Sequence, residues 1–182
     1  MTVQCAVPLL GFCAYSGTGK TTLLQRLIPG LKEAGLRLAL LKHAHHSFEI
    51  DQPGKDSYQL RKAGADQVLI ASRQRVALIR ECARPTGEPR LAELLPCIDT
   101  RELDLVLVEG FKHEPIPKIE LYRPALGRPL IHATDSHVIA VAADAPFPLA
   151  RELPLLDLNR PETVLHFLLD WLQGRRGLAA TG

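Results

Sequence analysis

Sulfur and aromatic residues are scarce in this chain of 182 residues, which has four cysteines, one methionine, one tryptophan, three tyrosines and five phenylalanines. Cys5, Cys13, Cys82 and Cys97 show no C-x-x-C spacing, so no paired-thiol motif is present and the four read as reduced packing residues. No apolar run is long enough to span a bilayer and no secretory leader pattern is found, which predicts a cytoplasmic protein with no membrane contact. Nor is there a long basic run. The 22 basic and 20 acidic residues are scattered to a formal charge of +2, which argues against a general nucleic-acid surface. With 46% apolar and 23% charged residues the composition is that of one ordinary domain, placed at 1–173 with a flexible tail at 174–182.

What the chain does contain is a phosphate-binding loop, Ala14-Tyr15-Ser16-Gly17-Thr18-Gly19-Lys20-Thr21-Thr22. The apolar run Leu9 to Ala14 before it reads as a buried strand, and Leu23, Leu24, Leu27, Ile28 and Leu31 after it recur at helical spacing. Gly17 and Gly19 let backbone N–H groups turn inward around a phosphate at a helix N-terminus, where the dipole also favours negative charge. Lys20 would reach the β- and γ-phosphates and the Thr21 hydroxyl would ligate Mg²⁺. Ala14 replaces the usual first glycine of the G-x-x-x-x-G-K-[ST] pattern, and alanine is small enough for that turn.

The rest of the pattern alternates. Strands are expected at Leu36 to Lys42, Gln67 to Ala71, Arg75 to Cys82, Leu103 to Val108, Pro117 to Tyr122 and Val138 to Ala142. Pro29 predicts a kink or break in the first helix. A short helix is expected over Asp56 to Ala63, and the three prolines between Arg84 and Pro96 mark a variable surface region. A last helix would start at an N-cap Asn159 and carry the stripe Val164, Leu165, Leu168, Leu169 and Leu172. This order predicts an α/β fold: a mostly parallel sheet flanked by helices, with extra short strands in the middle and C-terminal parts. In such sheets ligands bind beyond the carboxyl ends of the strands.

Two further motifs fall at strand ends. Leu105-Val106-Leu107-Val108-Glu109-Gly110 places Glu109 where a nucleotide-bound Mg²⁺ or its water needs an oxygen partner. Lys42-His43-Ala44-His45-His46, followed by Asp51 and Pro53-Gly54-Lys55-Asp56, has the residue types of a Zn²⁺ or Ni²⁺ site. Its histidines lack the i, i+4 spacing of a helical site, and no cysteine is near. A switch loop is preferred, with Lys42, His43, His45 and His46 contacting phosphate or substrate and Asp51 assisting Mg²⁺; a transition-metal site and a structural loop are the other readings.

These motifs in this order, with S-G-T-G-K-T-T-L at 16–23, K-H-A-H-H at 42–46, D-Q-P-G-K-D-S-Y at 51–58, L-R-K-A-G-A at 60–65 and D-L-V-L-V-E-G-F-K-H-E at 104–114, resemble the MobB family of molybdopterin-guanine dinucleotide biosynthesis adaptor proteins. The resemblance implies a P-loop NTPase-like fold that binds GTP with Mg²⁺, hydrolyses it weakly and is usually a homodimer. It implies assistance to a MobA-like molybdopterin guanylyltransferase, which attaches GMP to molybdopterin. Ser16, Gly17, Thr18, Gly19, Lys20, Thr21, Thr22 and Glu109 are the matching positions for nucleotide and Mg²⁺, with Lys20 and Glu109 carrying any turnover.

Guanine is harder to reach from the residues, since no N-K-x-D tetrapeptide occurs. Val141-Ala142-Ala143-Asp144 ends a strand on the ligand side of the sheet, so Asp144 is a candidate acceptor from guanine and equally a turn cap. No Gln or Arg adjoins the phosphate loop, which predicts slow hydrolysis. A small-molecule kinase and a GTP-dependent metallochaperone built on His43, His45 and His46 are the alternatives to an adaptor.

Overall fold

A computed structural model describes residues 3–44, 48–82 and 87–179, with side chains as far as 175. His45 and His46 lie outside the described residues. In chain order the elements are β1 (Leu9–Cys13), α1 (Lys20–Glu33), β2 (Leu38–Lys42), α2 (Asp56–Lys62), β3 (Gln67–Ala71), β4 (Val76–Arg80), α3 (Leu91–Leu94), β5 (Leu105–Glu109), β6 (Lys118–Tyr122), β7 (Val138–Ala143), β8 (Leu155–Asp157) and α4 (Pro161–Ala179). Among the described residues no helix is long and apolar enough to cross a membrane. By its internal contacts the chain divides into two compact units, residues 1–43 with 90–182, and residues 44–89. Composition alone does not separate the second unit from the first, because its residue make-up is ordinary and only its contacts set it apart.

The first unit is built on a six-stranded sheet in the order β2-β5-β1-β6-β7-β8, every neighbouring pair parallel. β5 shows why its sequence is a near-continuous apolar run. Leu105 and Leu107 point into one core with Leu10, Phe12, Leu27 and Leu31, while Val106 and Val108 point into another with Leu9, Leu41 and Leu91. Both faces of the strand are covered, so alternation of polarity disappears.

α1 buries Leu23, Leu24, Leu27 and Leu31 as the spacing predicts. It does not break at Pro29. The carbonyl left without its N–H partner belongs to Gln25, and both Gln25 and Pro29 are exposed, so water can satisfy it. Gly30 permits close approach of α4: a Cβ there would stand 2.5 Å from Leu165 Cδ2.

Three other expectations are corrected. α4 begins at Pro161 and not after an Asn159 cap, because the Asn159 side-chain amide donates instead to the Asp144 carbonyl at 3.0 Å. α4 also runs on through Gly174 to Ala179, helped by the Arg175 guanidinium lying 4.9 Å from the Trp171 ring centre one turn away. The proline-rich stretch is partly core, since Leu91 and Leu95 are buried beneath Val106 and Val108. β8 is a short strand the periodicity does not reveal.

The second unit holds α2 and the antiparallel hairpin β3–β4, paired from Gln67↔Arg80 to Ala71↔Val76. Its centre is a buried Arg61, whose guanidinium donates to Glu81 at 2.6 Å and also pairs with Glu49. A two-stranded sheet is marginal in water. This one leaves Leu69, Val76 and Leu78 exposed, as well as Leu60 of α2.

Lys118, Glu120 and His132, all buried in the first unit, are paired. Lys118 Nζ donates to the carbonyls of Lys112 (3.0 Å) and Glu114 (2.7 Å) and to Asp135 Oδ2 (2.6 Å), which uses all three of its protons. Glu120 accepts from the backbone N–H groups of Ile131 and His132 and from His132 Nδ1, and Ala150 N donates to His132 Nε2, so the ring proton sits on Nδ1. Burial pushes the Asp135 carboxyl up, but hydrogen bonds from Lys118 and His137 outweigh it and hold the group below the usual range. Asp135→Asn is expected to destabilise the protein by about 3 kcal/mol in urea unfolding, because it strands the buried Lys118 charge. The depressed Asp135 contributes stability above its unfolded-state pKa and loses it as pH falls through the folded-state value, so the gap between parent and variant should narrow in acid.

Candidate functional site

The loop between β1 and α1 carries positive φ at Gly17 (81°) and Gly19 (101°), where side-chain-bearing residues are strained. Gly19 caps α1, and no acidic residue in the first turn cancels the positive end of the helix dipole. The Thr18 hydroxyl donates to the Tyr15 carbonyl at 2.8 Å, and Lys20 Nζ donates to the carbonyls of Ala14 (3.0 Å) and Tyr15 (3.4 Å). Lys20 thus already lies folded over its loop. Burial lowers its pKa, Glu109 opposes that, and Lys42 and Lys112 add to it. Ser16, Thr21 and Thr22 are exposed around this cradle.

Glu109 ends β5 in register with Phe12 of β1 and Lys42 of β2. Though its side chain is almost fully buried, Oε1 accepts from the Thr21 hydroxyl at 3.0 Å and Oε2 lies 3.2 Å from Lys42 Nζ. The strand-end turn after it is tight. Gly110 has φ 90°, and a Cβ there would stand 2.8 Å from His43 Cβ. His43 N donates to the Glu109 carbonyl at 2.9 Å, and its ring lies 4.9 Å from that of Phe111. A hydroxyl and a carboxylate from two separate elements are the hard oxygen donors that suit Mg²⁺.

The first unit therefore brings together Ser16, Gly17, Thr18, Gly19, Lys20, Thr21, Thr22, Lys42, His43 and Glu109. Asp51 belongs to the second unit, where its Oδ1 accepts from Ser57 Oγ at 2.9 Å and from the Gln52 amide at 3.0 Å.

One expectation about the loop is overturned. An arginine does adjoin it: Arg123 Nε donates to the Thr18 carbonyl at 2.9 Å, and Nη1 donates to Asp144 Oδ2 at 2.5 Å. Sequence reasoning missed Arg123 because it lies 105 residues from Thr18. The strand-end rule applied to Asp144 after β7 would have found it after β6.

The family model described as Molybdopterin guanine dinucleotide synthesis protein B, MobB, matches residues 9–144. The chain belongs to the MobB family. It is similar to the Molybdopterin-guanine dinucleotide biosynthesis adapter protein of Escherichia coli, with 51% identity over 97% of this chain and 100% of that protein. The protein of the same description from Haemophilus influenzae is 43% identical over 94% and 93%. The crystal structure of Bacillus subtilis MobB superposes with a TM-score of 0.70 at 27% identity, covering 90% of this chain and 96% of that one. The adapter description fits neither the kinase nor the metallochaperone alternative, and both are set aside.

Glu109→Gln is expected to change stability by no more than about 1 kcal/mol, since Lys42 is half exposed and can turn to water. The Mg²⁺ dependence of nucleotide affinity should fall, because the amide keeps the shape and loses the charge; titrations with and without Mg²⁺ measure it.

Proposed function

We propose that this member of the MobB family is a GTP-holding adapter in molybdopterin guanine dinucleotide biosynthesis, and that its bound state is recognised by a guanylyltransferase acting on molybdopterin. The observation that carries the reading is the hydrogen bond from Thr21 to Glu109, which joins the helix of the phosphate loop to a strand-end carboxylate. The names of the relatives support the biosynthetic pathway.

In this reading the inward N–H groups from Ser16 to Thr22 hold the phosphates at the positive end of α1. Lys20 leaves the carbonyls of Ala14 and Tyr15 for phosphate oxygens, which carry more charge than a carbonyl. Thr21 and Glu109 would hold Mg²⁺, whose charge would neutralise that of the phosphates. Lys42 and His43 flank the same strand end and supply cationic or hydrogen-bonding contacts to the terminal phosphate, and Asp144 accepts from the guanine edge. In the segment that follows β2, contact with phosphate or substrate is proposed for His45 and His46, and assistance to Mg²⁺ for Asp51.

Turnover is slow in this reading despite Arg123. Its guanidinium is spent on a backbone carbonyl and on Asp144, so it does not serve as the arginine finger that accelerates phosphoryl transfer. A protein that holds GTP and does not destroy it suits an adapter read by a partner. The exposed apolar side chains of the hairpin, Leu69, Val76 and Leu78, supply the interface of a homodimer. Four free thiols accord with a cytoplasmic setting.

Lys20→Ala should leave the fold intact and lower GTP affinity about ten- to a hundredfold or more, the worth of hydrogen bonds to charged phosphate. Calorimetry of the folded variant checks this, and unchanged affinity would remove the loop from the reading. Phosphate release from the isolated protein should run well below about one turnover per second. Fast release abolished by Lys20→Ala would make the protein a nucleotide hydrolase in its own right.

A further inference from the structure

Arg123 is assigned no contact with phosphate or metal in the reading above, yet it is bonded to both ends of the nucleotide site. The register Tyr122↔Ala143 places it and Asp144 at the ends of neighbouring parallel strands. One edge of its guanidinium engages the Thr18 carbonyl and another engages Asp144 Oδ2, while Nη2 would stand 3.5 Å from a Cβ on Gly19. Only a planar, multi-donor cation makes these contacts at once; a lysine ammonium is a point donor on a flexible stem.

Asp144 is held from two directions. Asn159 Nδ2 donates to its backbone carbonyl at 3.0 Å, and Arg123 takes Oδ2 of its side chain. A carboxylate at a strand end otherwise samples several rotamers, and fixing it on binding costs affinity. The Arg123 fork removes that freedom in advance and leaves Oδ1 to accept from a ligand. The contact with Thr18 ties this orientation to the loop that holds the phosphates.

We infer that Arg123 is a positioning residue for base selection: it orients the Asp144 carboxylate toward the guanine edge and couples that end of the site to the phosphate loop. The inference rests on the reading of Asp144 as the acceptor from guanine. The two N–H donors on the guanine edge match a carboxylate, one at Oδ1 and one at the lone pair of Oδ2 that Arg123 does not take; adenine presents an acceptor in place of one of them, and xanthine matches an amide.

The test is a set of titrations of the full chain with GTP, ATP and xanthosine triphosphate. They compare the parent, Arg123→Ala, Arg123→Lys, Asp144→Asn and the double variant Arg123→Ala with Asp144→Asn, each checked by thermal melting. The parent should prefer GTP to ATP. Arg123→Ala should lower that preference about tenfold while ATP affinity falls no more than about threefold, a split that a mere prop for the loop would not produce. Arg123→Lys should fail to restore the preference. Asp144→Asn should shift the preference toward xanthosine triphosphate, and adding Arg123→Ala to it should change selectivity less than about threefold, since coupled residues are not additive.

Equal losses for GTP and ATP in Arg123→Ala, full rescue by lysine, or unchanged selectivity in Asp144→Asn would each overturn the inference. If the parent itself binds GTP and ATP alike, the guanine reading fails and this inference falls with it. A GTP-selective parent whose selectivity survives in Arg123→Ala overturns the inference alone.

Discussion

Six parallel strands end at one edge of a sheet, and everything chemical in the first unit follows from that alignment. The ends of β2, β5, β1, β6 and β7 deliver Lys42, Glu109, the phosphate loop, Arg123 and Asp144 in spatial order. Because β1 lies between β5 and β6, the loop that follows it has the Glu109 carboxylate on one flank and Arg123 on the other. A slip of one residue between β1 and β5 would turn Glu109 to the opposite face and separate it from Thr21. The hydrophobic pairing that sets the register, Leu9↔Val106 through Gly11↔Val108, is therefore part of the site.

Burial beneath the site keeps those strand ends rigid. Leu23, Leu27 and Leu31 of α1 pack with Val164, Leu168 and Leu172 of α4 in the core on one face of the sheet, with Gly30 allowing the two helices to close. β6, whose end carries Arg123, is held by polar as well as apolar groups: Lys118 gathers segment 112–114 and Asp135, and Glu120 gathers His132 and, through it, Ala150. Buried ionisable groups are costly unless every proton and lone pair finds a partner, and here the partners are mostly backbone groups of the loops beside β6. Satisfying them fixes the loops on both sides of β6, and with them the strand end that carries Arg123.

Residues 44–89 leave the first unit directly after Lys42 and His43 and return before α3. The segment has its own charged core, Arg61 with Glu49 and Glu81. Its hairpin is too small to bury its own apolar side chains, and Leu69, Val76 and Leu78 stay exposed.

Local pattern determined much of this protein. The phosphate loop, the buried stripe of α1, the continuous apolar run of β5, the Gln67–Ala71 strand and the position of Glu109 all follow from residue spacing, because each depends on neighbours within a few positions. The motif order also pointed to the family. Tertiary structure alone decided that Pro29 is absorbed in α1, since the lost hydrogen bond faces water, and that Leu91 and Leu95 leave a proline-rich stretch for the core. It also decided that Arg123 meets Thr18 and Asp144. That meeting depends on β6 lying between β1 and β7, and a strand's place in a parallel sheet is set by crossovers and long-range packing that no local spacing encodes.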